Sequence, residues 1–154
     1  MAFDDRALLL RPYICISRLT HLTTLSHPYS FFQKYTDYER WESQPMTGHW
    51  RVVLSRQWAD PWEPFFIAEK SQLPLYDERF KQYGFNRIQQ VCESHVAGFE
   101  FRILNDPFLI HVGFKEKNRF HADKREENDK NRLLFRKFKQ ELKMKYPGNP
   151  RRCY

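Results

Sequence analysis

The sequence predicts an α/β fold, and three stretches carry that prediction. Residues 86–96 place Ile88, Val91, Cys92 and Val96 at i, i+3, i+4 and i+8, one face of a helix. Residues 123–145 set Leu134, Phe138 and Leu142 four apart, with Phe135 beside them, which is the apolar stripe of a long helix. Between the two, Phe99, Phe101 and Ile103 alternate with Glu100 and Arg102, the pattern of a half-buried strand.

The chain has 154 residues, the size of one ordinary domain, with 41% hydrophobic and 17% aromatic side chains. That is enough apolar material for a core, although mean hydropathy is low at −0.78. The net charge of +7 suits nucleic acid, an anionic membrane surface or a phosphate-bearing or acidic sugar, and does not choose among them. A nucleic-acid-binding domain is the weakest of these readings. No RNA or DNA motif is present, and the glutamates among the C-terminal lysines and arginines describe a solvated helix face. The three cysteines, Cys15, Cys92 and Cys153, form no Cys-x-x-Cys pair. One disulfide is possible and its pairing stays open; Cys92, on the apolar face of its helix, reads as a core thiol. No apolar run is long enough to span a membrane, because Ala7–Leu10 ends at Arg11-Pro12.

Taken in order, residues 1–34 are placed by no clear pattern. Leu8–Leu10 and Tyr13–Ile16 read as short strands, and His21–Tyr29 as loop. Tyr35–Trp41 reads as a helical turn capped by Thr36 or Asp37, followed by a strand over His49–Leu54. Four tryptophans, Trp41, Trp50, Trp58 and Trp62, crowd this zone. Aromatics beside carboxylates stack on sugar rings and bind their hydroxyls, but packing is the commoner role. Asp60–Pro64 is extended or turning, Phe65–Ala68 a strand, and Lys70–Leu75 a loop. Tyr76–Asn86 is a dense polar-aromatic string. Gly98 ends the first helix, Asn105-Asp106-Pro107 predicts a turn, and Phe108–Ile110 a short buried strand. Tyr146-Pro147-Gly148 stops the last helix, and 149–154 is a basic tail.

The short strand delivers His111, with Gly113 and Lys115 directly after it. Imidazole binds divalent metals, glycine lets the backbone approach an anion, and lysine offers a point charge to phosphate. Together they suit a metal-bound diphosphate. By themselves they equally describe a strand-end histidine on a turn beside a solvated lysine.

Several longer strings are more specific. They are Asp-Pro-Trp-Glu-Pro-Phe (60–65), Tyr-Asp-Glu-Arg-Phe-Lys-Gln-Tyr-Gly-Phe-Asn-Arg (76–87), His-Val-Ala-Gly-Phe (95–99), His-Val-Gly-Phe-Lys (111–115) and Phe-Lys-Gln-Glu-Leu-Lys-Met-Lys-Tyr-Pro (138–147). In this order they resemble the C-terminal part of glycosyltransferase family 49, above all its branch that transfers glucuronate in β-1,4 linkage. More weakly, they are similar to the second catalytic domain of the LARGE xylosyl/glucuronyltransferases. The resemblance covers 35–154 and leaves 1–34 unplaced.

The resemblance implies the C-terminal portion of a GT-A type nucleotide-sugar transferase domain, without the N-terminal nucleotide-binding half. It implies inverting transfer of glucuronate from UDP-glucuronate to a xylose-bearing acceptor, in synthesis of the O-mannosyl glycan of dystroglycan. An older label for such sequences is β-1,3-N-acetylglucosaminyltransferase. Mn²⁺ is the implied cofactor, with His111 as a metal ligand and Gly113 and Lys115 at the donor phosphates. A UDP-sugar donor and a glycan acceptor on glycoprotein are the implied partners, and the Golgi membrane the implied location, through an anchor not visible in these residues. Trp62, Tyr83 and Asn86 are the candidate acceptor contacts. Asp77 and Glu78 are the candidates for the base that deprotonates the acceptor hydroxyl, or for acceptor ligands; equally, they pair with Arg79 or cap a turn. The sequence departs from the pattern in two respects: it has no Asp-x-Asp, and Tyr83–Arg87, which corresponds to the Gly-x-Glu-Asp type segment of many inverting GT-A enzymes, has no carboxylate. A non-catalytic glycan-binding or partner module derived from the family is therefore the alternative, and little or no transfer by this chain alone is the expectation.

Overall fold

The computed structural model describes residues 13–20, 34–110 and 122–153. Four strands form one mixed sheet: β1 (Tyr13–Thr20), β2 (Val52–Arg56), β3 (Phe65–Ile67) and β4 (Glu100–Ile110), in the order β2-β4-β1-β3. β4 lies between an antiparallel β2 and a parallel β1, and β1 carries β3 antiparallel on its far side. A 3-10 helix (Lys34–Thr36) and three α-helices complete the described elements: α1 (Tyr38–Glu42), α2 (Asn86–Val96) and α3 (Lys124–Lys145). The α/β class thus holds at the level of helices on a small mixed sheet.

β4 corrects the expectation of a turn at 105–107, because strand pairing continues through Asn-Asp-Pro to Ile110. The signal appears instead as an irregularity. Against β1, Ile16 faces Ile103 but Arg18 faces Phe108, so β4 carries three extra residues. A side-chain frame holds this bulge. Asn105 accepts from the Arg51 N–H at 2.9 Å and donates to Thr47 Oγ1 at 3.2 Å, and the Trp41 indole donates to the Leu104 carbonyl at 2.6 Å. These bonds to Leu104 and Asn105 hold an Asn-Asp-Pro sequence inside a sheet, although Asp106 Oδ2 is buried without a partner among the described residues.

α1 starts on Asp37, whose carboxylate accepts from Arg40 N and also pairs with Arg56. α2 has the expected bounds but not the expected amphipathicity. Ile88 through Val96 are all buried, including Gln89, Gln90, Glu93, Ser94 and His95. Its end is a Schellman motif. Gly98 N–H bonds to the His95 carbonyl at 3.1 Å and Phe99 N–H to the Ser94 carbonyl at 3.0 Å, with Gly98 at φ 103°. The core joins Trp58, Trp62, Phe101, Ile103 and the α2 apolar residues to Phe135, Phe138 and Leu142 of α3. On α3 the buried line runs Glu127, Asn131, Phe135, Phe138, Leu142, so Leu134 lies at its margin rather than in it.

Two expectations at the C-terminus are corrected. Cys92 is not a free thiol: it forms a disulfide with Cys153, 61 residues away. Nor is 149–153 a free basic tail. It folds back on α2, where Arg151 Nη1 donates to the Phe99 carbonyl at 2.9 Å and Asn149 donates to the Val96 carbonyl.

Candidate functional site

The polar-aromatic string has no regular secondary structure before Asn86, yet it is held at Asp77, Arg79, Phe80, Lys81, Tyr83, Gly84 and Phe85. Its partner is α3, which it follows in the reverse direction. Arg79 forks onto Glu141 through Nη1 at 3.0 Å and Nη2 at 2.5 Å, and its Nε donates to Asp77 at 2.9 Å. Phe80 is buried with its ring edge-on to Phe138 at 5.7 Å and to Phe135 at 6.4 Å. Further on, one Asn131 amide group donates to three carbonyls, of Lys81 at 2.8 Å, Tyr83 at 3.0 Å and Gly84 at 2.9 Å. Glu127, one turn before, accepts the Tyr83 N–H at 3.2 Å. Phe85 closes the run against Phe135, centroids 5.1 Å apart.

This grip sustains an unusual backbone. Gln82 and Phe85 both have φ 61°, in the left-handed region, and Gly84 has φ 98°. A side chain on Gly84 is excluded twice over, by φ and by contact, since a Cβ there would lie 2.6 Å from Asn128 Oδ1. Non-glycine residues at positive φ cost about 1–3 kcal/mol each, persist only where the surroundings over-determine them, and concentrate at binding sites. Glu127 and Asn131 supply that constraint here.

The candidate residues divide sharply within this frame. Asp77 is committed to Arg79, through the side chain and through the Arg79 N–H at 3.0 Å, and the hydrogen bonds from Arg79 hold its carboxyl below the usual carboxylate range. Glu141, and then Asp77, push the Arg79 guanidinium above its ordinary value. Glu78 is exposed and enters no ion pair or hydrogen bond with the described residues. Tyr83 is half-buried, with Lys124 Nζ 4.6 Å from its ring centroid. Asn86 is exposed at the first turn of α2 and accepts the Arg87 N–H at 3.0 Å. Trp62 stands apart from them. It is fully buried, 5.6 Å from Phe101, and its indole donates to Thr36 Oγ1 at 3.1 Å. In this arrangement it presents no ring face to a ligand. Its neighbour Glu63 reaches the string, pairing at 2.8 Å with Arg87, whose guanidinium lies over Phe65.

Sequence reasoning missed Glu127 and Asn131, which shape the site from α3. Their signal was available: two polar residues one turn apart, in line with Phe135, Phe138 and Leu142 on the apolar side of the helix. The expected donor-side residues His111, Gly113 and Lys115 lie outside the described residues. Among the described residues no group of three or more His, Cys, Asp or Glu is placed to hold a metal ion. These residues alone therefore do not fit the expected cation. No helix among them is long and apolar enough to cross a membrane.

Residues 26–147 match a protein family described as glycosyl-transferase for dystroglycan. Over 118 residues the chain is 55% identical to human β-1,4-glucuronyltransferase 1, and over 120 residues it is 52% identical to the Danio rerio protein of that name. Each match takes in 77% of this chain and 28% of the relative, so the chain spans little more than a quarter of these relatives. A mouse protein, xylosyl- and glucuronyltransferase LARGE2, is 31% identical over 77 residues, half of this chain and 10% of its own length.

Proposed function

Because this chain belongs to the family of glycosyl-transferases for dystroglycan, we propose that it supplies the acceptor side of a glycosyltransferase that moves glucuronate from UDP-glucuronate to a xylose-bearing glycan on glycoprotein. The observation that carries this reading is the held string 76–86. It lies inside the family match and displays Glu78, Asn86 and part of Tyr83 from a backbone that is rigidly fixed and locally strained. A surface fixed in this way binds a glycan without first having to order itself. Tyr83 offers an aromatic face and Asn86 an amide, while Trp62, buried in the core, is left without a direct acceptor contact.

Of the two carboxylates, Glu78 is the better base. A general base must be free to take a proton, and Asp77 is engaged by Arg79 with its basicity lowered. Asp77 then acts by positioning, through Arg79 and Glu141. The Cys92–Cys153 disulfide supports an oxidising compartment such as the Golgi lumen, since disulfides persist in the secretory pathway and are rare in the cytosol. On the donor side the reading places a divalent ion, Mn²⁺, with His111 as ligand and Gly113 and Lys115 at the phosphates. The ion would neutralise charge on the departing diphosphate. The nucleotide-sugar fold it assigns is GT-A.

A second reading is favoured by the capture of Asp77 in its ion pair: a glycan-binding module that positions an acceptor and transfers nothing. One experiment separates the two. Binding of a β-xyloside to this chain is followed by ligand-observed NMR, and UDP release from UDP-glucuronate with Mn²⁺ present is measured on human β-1,4-glucuronyltransferase 1 carrying these residues in place of its matching segment. Both readings expect binding that Asn86→Ala and Tyr83→Ala weaken. Only the first expects UDP release from that chimaera, lowered at least about a hundredfold by Glu78→Gln. A folded chain that does not bind the xyloside overturns both.

A further inference from the structure

A second feature lies away from the 76–86 string, where the tail folds back on the end of α3. A cavity of about 340 Å³ opens there between α3 and residues 151–153. Four cations line it: Lys139 and Lys143, one turn apart on α3, and Arg151 and Arg152 on the tail. None of the described residues lining it is a carboxylate, and its apolar wall includes Val96 and Leu142.

Such a concentration of like charge is costly unless an anion shares it. Several other cations of α3 have acidic neighbours: Lys130 pairs with Glu126, Arg132 with Asp129, and Lys145 with the buried Glu93. At the cavity, Lys139 and Lys143 enter no ion pair among the described residues. Asp60 feels the charge of Lys139 but does not line the cavity. The arginines are anchored from behind. Arg151 donates to the carbonyls of Phe99 and His95, and Arg152 to those of Asn149 and Arg151. The disulfide fixes Cys153 at the cavity wall and so holds both arginines in place. Lys139 Nζ lies 5.4 Å from the Phe135 ring centroid, which leaves its charge unneutralised. Two anchored guanidinium groups and two ammonium groups around one cavity suit a tetrahedral oxyanion, with arginine giving fork geometry and lysine point charge. The volume is at the low end for small-molecule sites, and the apolar wall accommodates the carbon face of one sugar ring.

We propose that this cavity binds a phosphate ester carried on a sugar-sized body, at a site that none of the residues of the acceptor string lines. The ester comes either from a free nucleotide or from a phosphorylated sugar of a glycan.

Isothermal titration of the full chain in metal-free buffer with EDTA tests this, with inorganic phosphate, a hexose 6-phosphate and UDP as probes. The hexose phosphate is expected to bind once per chain, more tightly than inorganic phosphate. The Lys139→Ala/Lys143→Ala double variant is expected to weaken it at least about fivefold. The control Lys130→Ala/Lys137→Ala removes the same charge elsewhere on α3 and is expected to change affinity less than about twofold. All four lysines have solvent-accessible side chains, so melting temperature serves as the check that both variants fold. Tighter binding of UDP than of hexose phosphate, with the same lysine dependence, also supports the site and assigns it to a nucleotide. Three results overturn the proposal: no phosphate probe binds, the control variant weakens binding as much as the cavity variant, or UDP alone binds and only once Mn²⁺ is added. The last result belongs to the donor side and leaves the proposed transferase reading intact.

Discussion

The two halves of α3 hold their surroundings by different physics. The C-terminal half presents Phe135, Phe138 and Leu142 to the core, where burial of apolar area is the driving force and direction matters little. The N-terminal half presents Glu127 and Asn131, which are just as buried but act through directed hydrogen bonds to one short loop. The first half makes the domain stable. The second gives a loop of strained backbone a single conformation. A helix can thus be structural at one end and shape a site at the other, with one continuous buried line running through both.

Removing the apolar half should have the largest effect. Phe138→Ala is expected to cost about 3–5 kcal/mol in denaturant unfolding, because it deletes a ring that packs against both Phe80 and Phe135. If the loss is below about 1 kcal/mol, this half of α3 is not the anchor described. Reducing the Cys92–Cys153 disulfide should come next. It closes a long loop between α2 and the tail, and its loss is expected to cost about 2–4 kcal/mol, read as a lower denaturant midpoint under reducing conditions.

The polar half should show a smaller global effect and a sharper local one. Asn131→Ala leaves the Lys81, Tyr83 and Gly84 carbonyls without their common donor, at an expected cost of about 1–3 kcal/mol. Hydrogen exchange should rise at 81–85 and stay unchanged in α2. Uniform acceleration across both segments would mean that the two halves do not differ as described. Gly84→Ala is expected to give the same local signature, from its φ of 98° and the contact with Asn128.

The smallest effects are expected from titration, and both arise around α2. Burial, and then its hydrogen bond to Glu93, push the Tyr146 hydroxyl up to about 12 from 10.0. Between those values the unfolded chain has lost a proton that the folded chain keeps, so stability should fall as pH rises from about 10 to about 12. His95 behaves in the opposite sense. Burial, and then the charge of Arg151, hold its imidazole below 6.5. Acidification through that value charges the unfolded histidine first, and stability should fall as pH drops. His95→Gln should flatten the acid limb and leave the alkaline limb unchanged in equilibrium unfolding across pH.

Local patterns in the sequence identified α2 to the residue and α3 to within one residue, because helical periodicity and the Gly98 and Pro147 stops are carried by near neighbours. The Asp77–Arg79 pairing was one of two readings left open, and the structure adds Glu141 as its third member. Less legible were the bulge in β4 and the buried polar side of α2. Asn-Asp-Pro carries a strong turn signal, and only the frame of Trp41, Thr47 and Arg51 turns it into part of a strand. The buried side of α2 contains Gln89, Gln90, Glu93 and His95, which a periodicity argument counts as solvent-facing.

By itself, then, the sequence determined where helices start and stop, which apolar residues make the core, and which family the chain resembles, since each of these is written in near neighbours or in long unbroken strings. Tertiary structure alone decided which polar groups meet. Asn131 takes the carbonyls of Lys81, Tyr83 and Gly84, Arg79 takes Glu141, and Cys153 takes Cys92. The physical reason is that a hydrogen bond, an ion pair or a disulfide forms between specific atoms at short range. Its partner is chosen by how the chain returns on itself, and no local pattern of residue types records that choice.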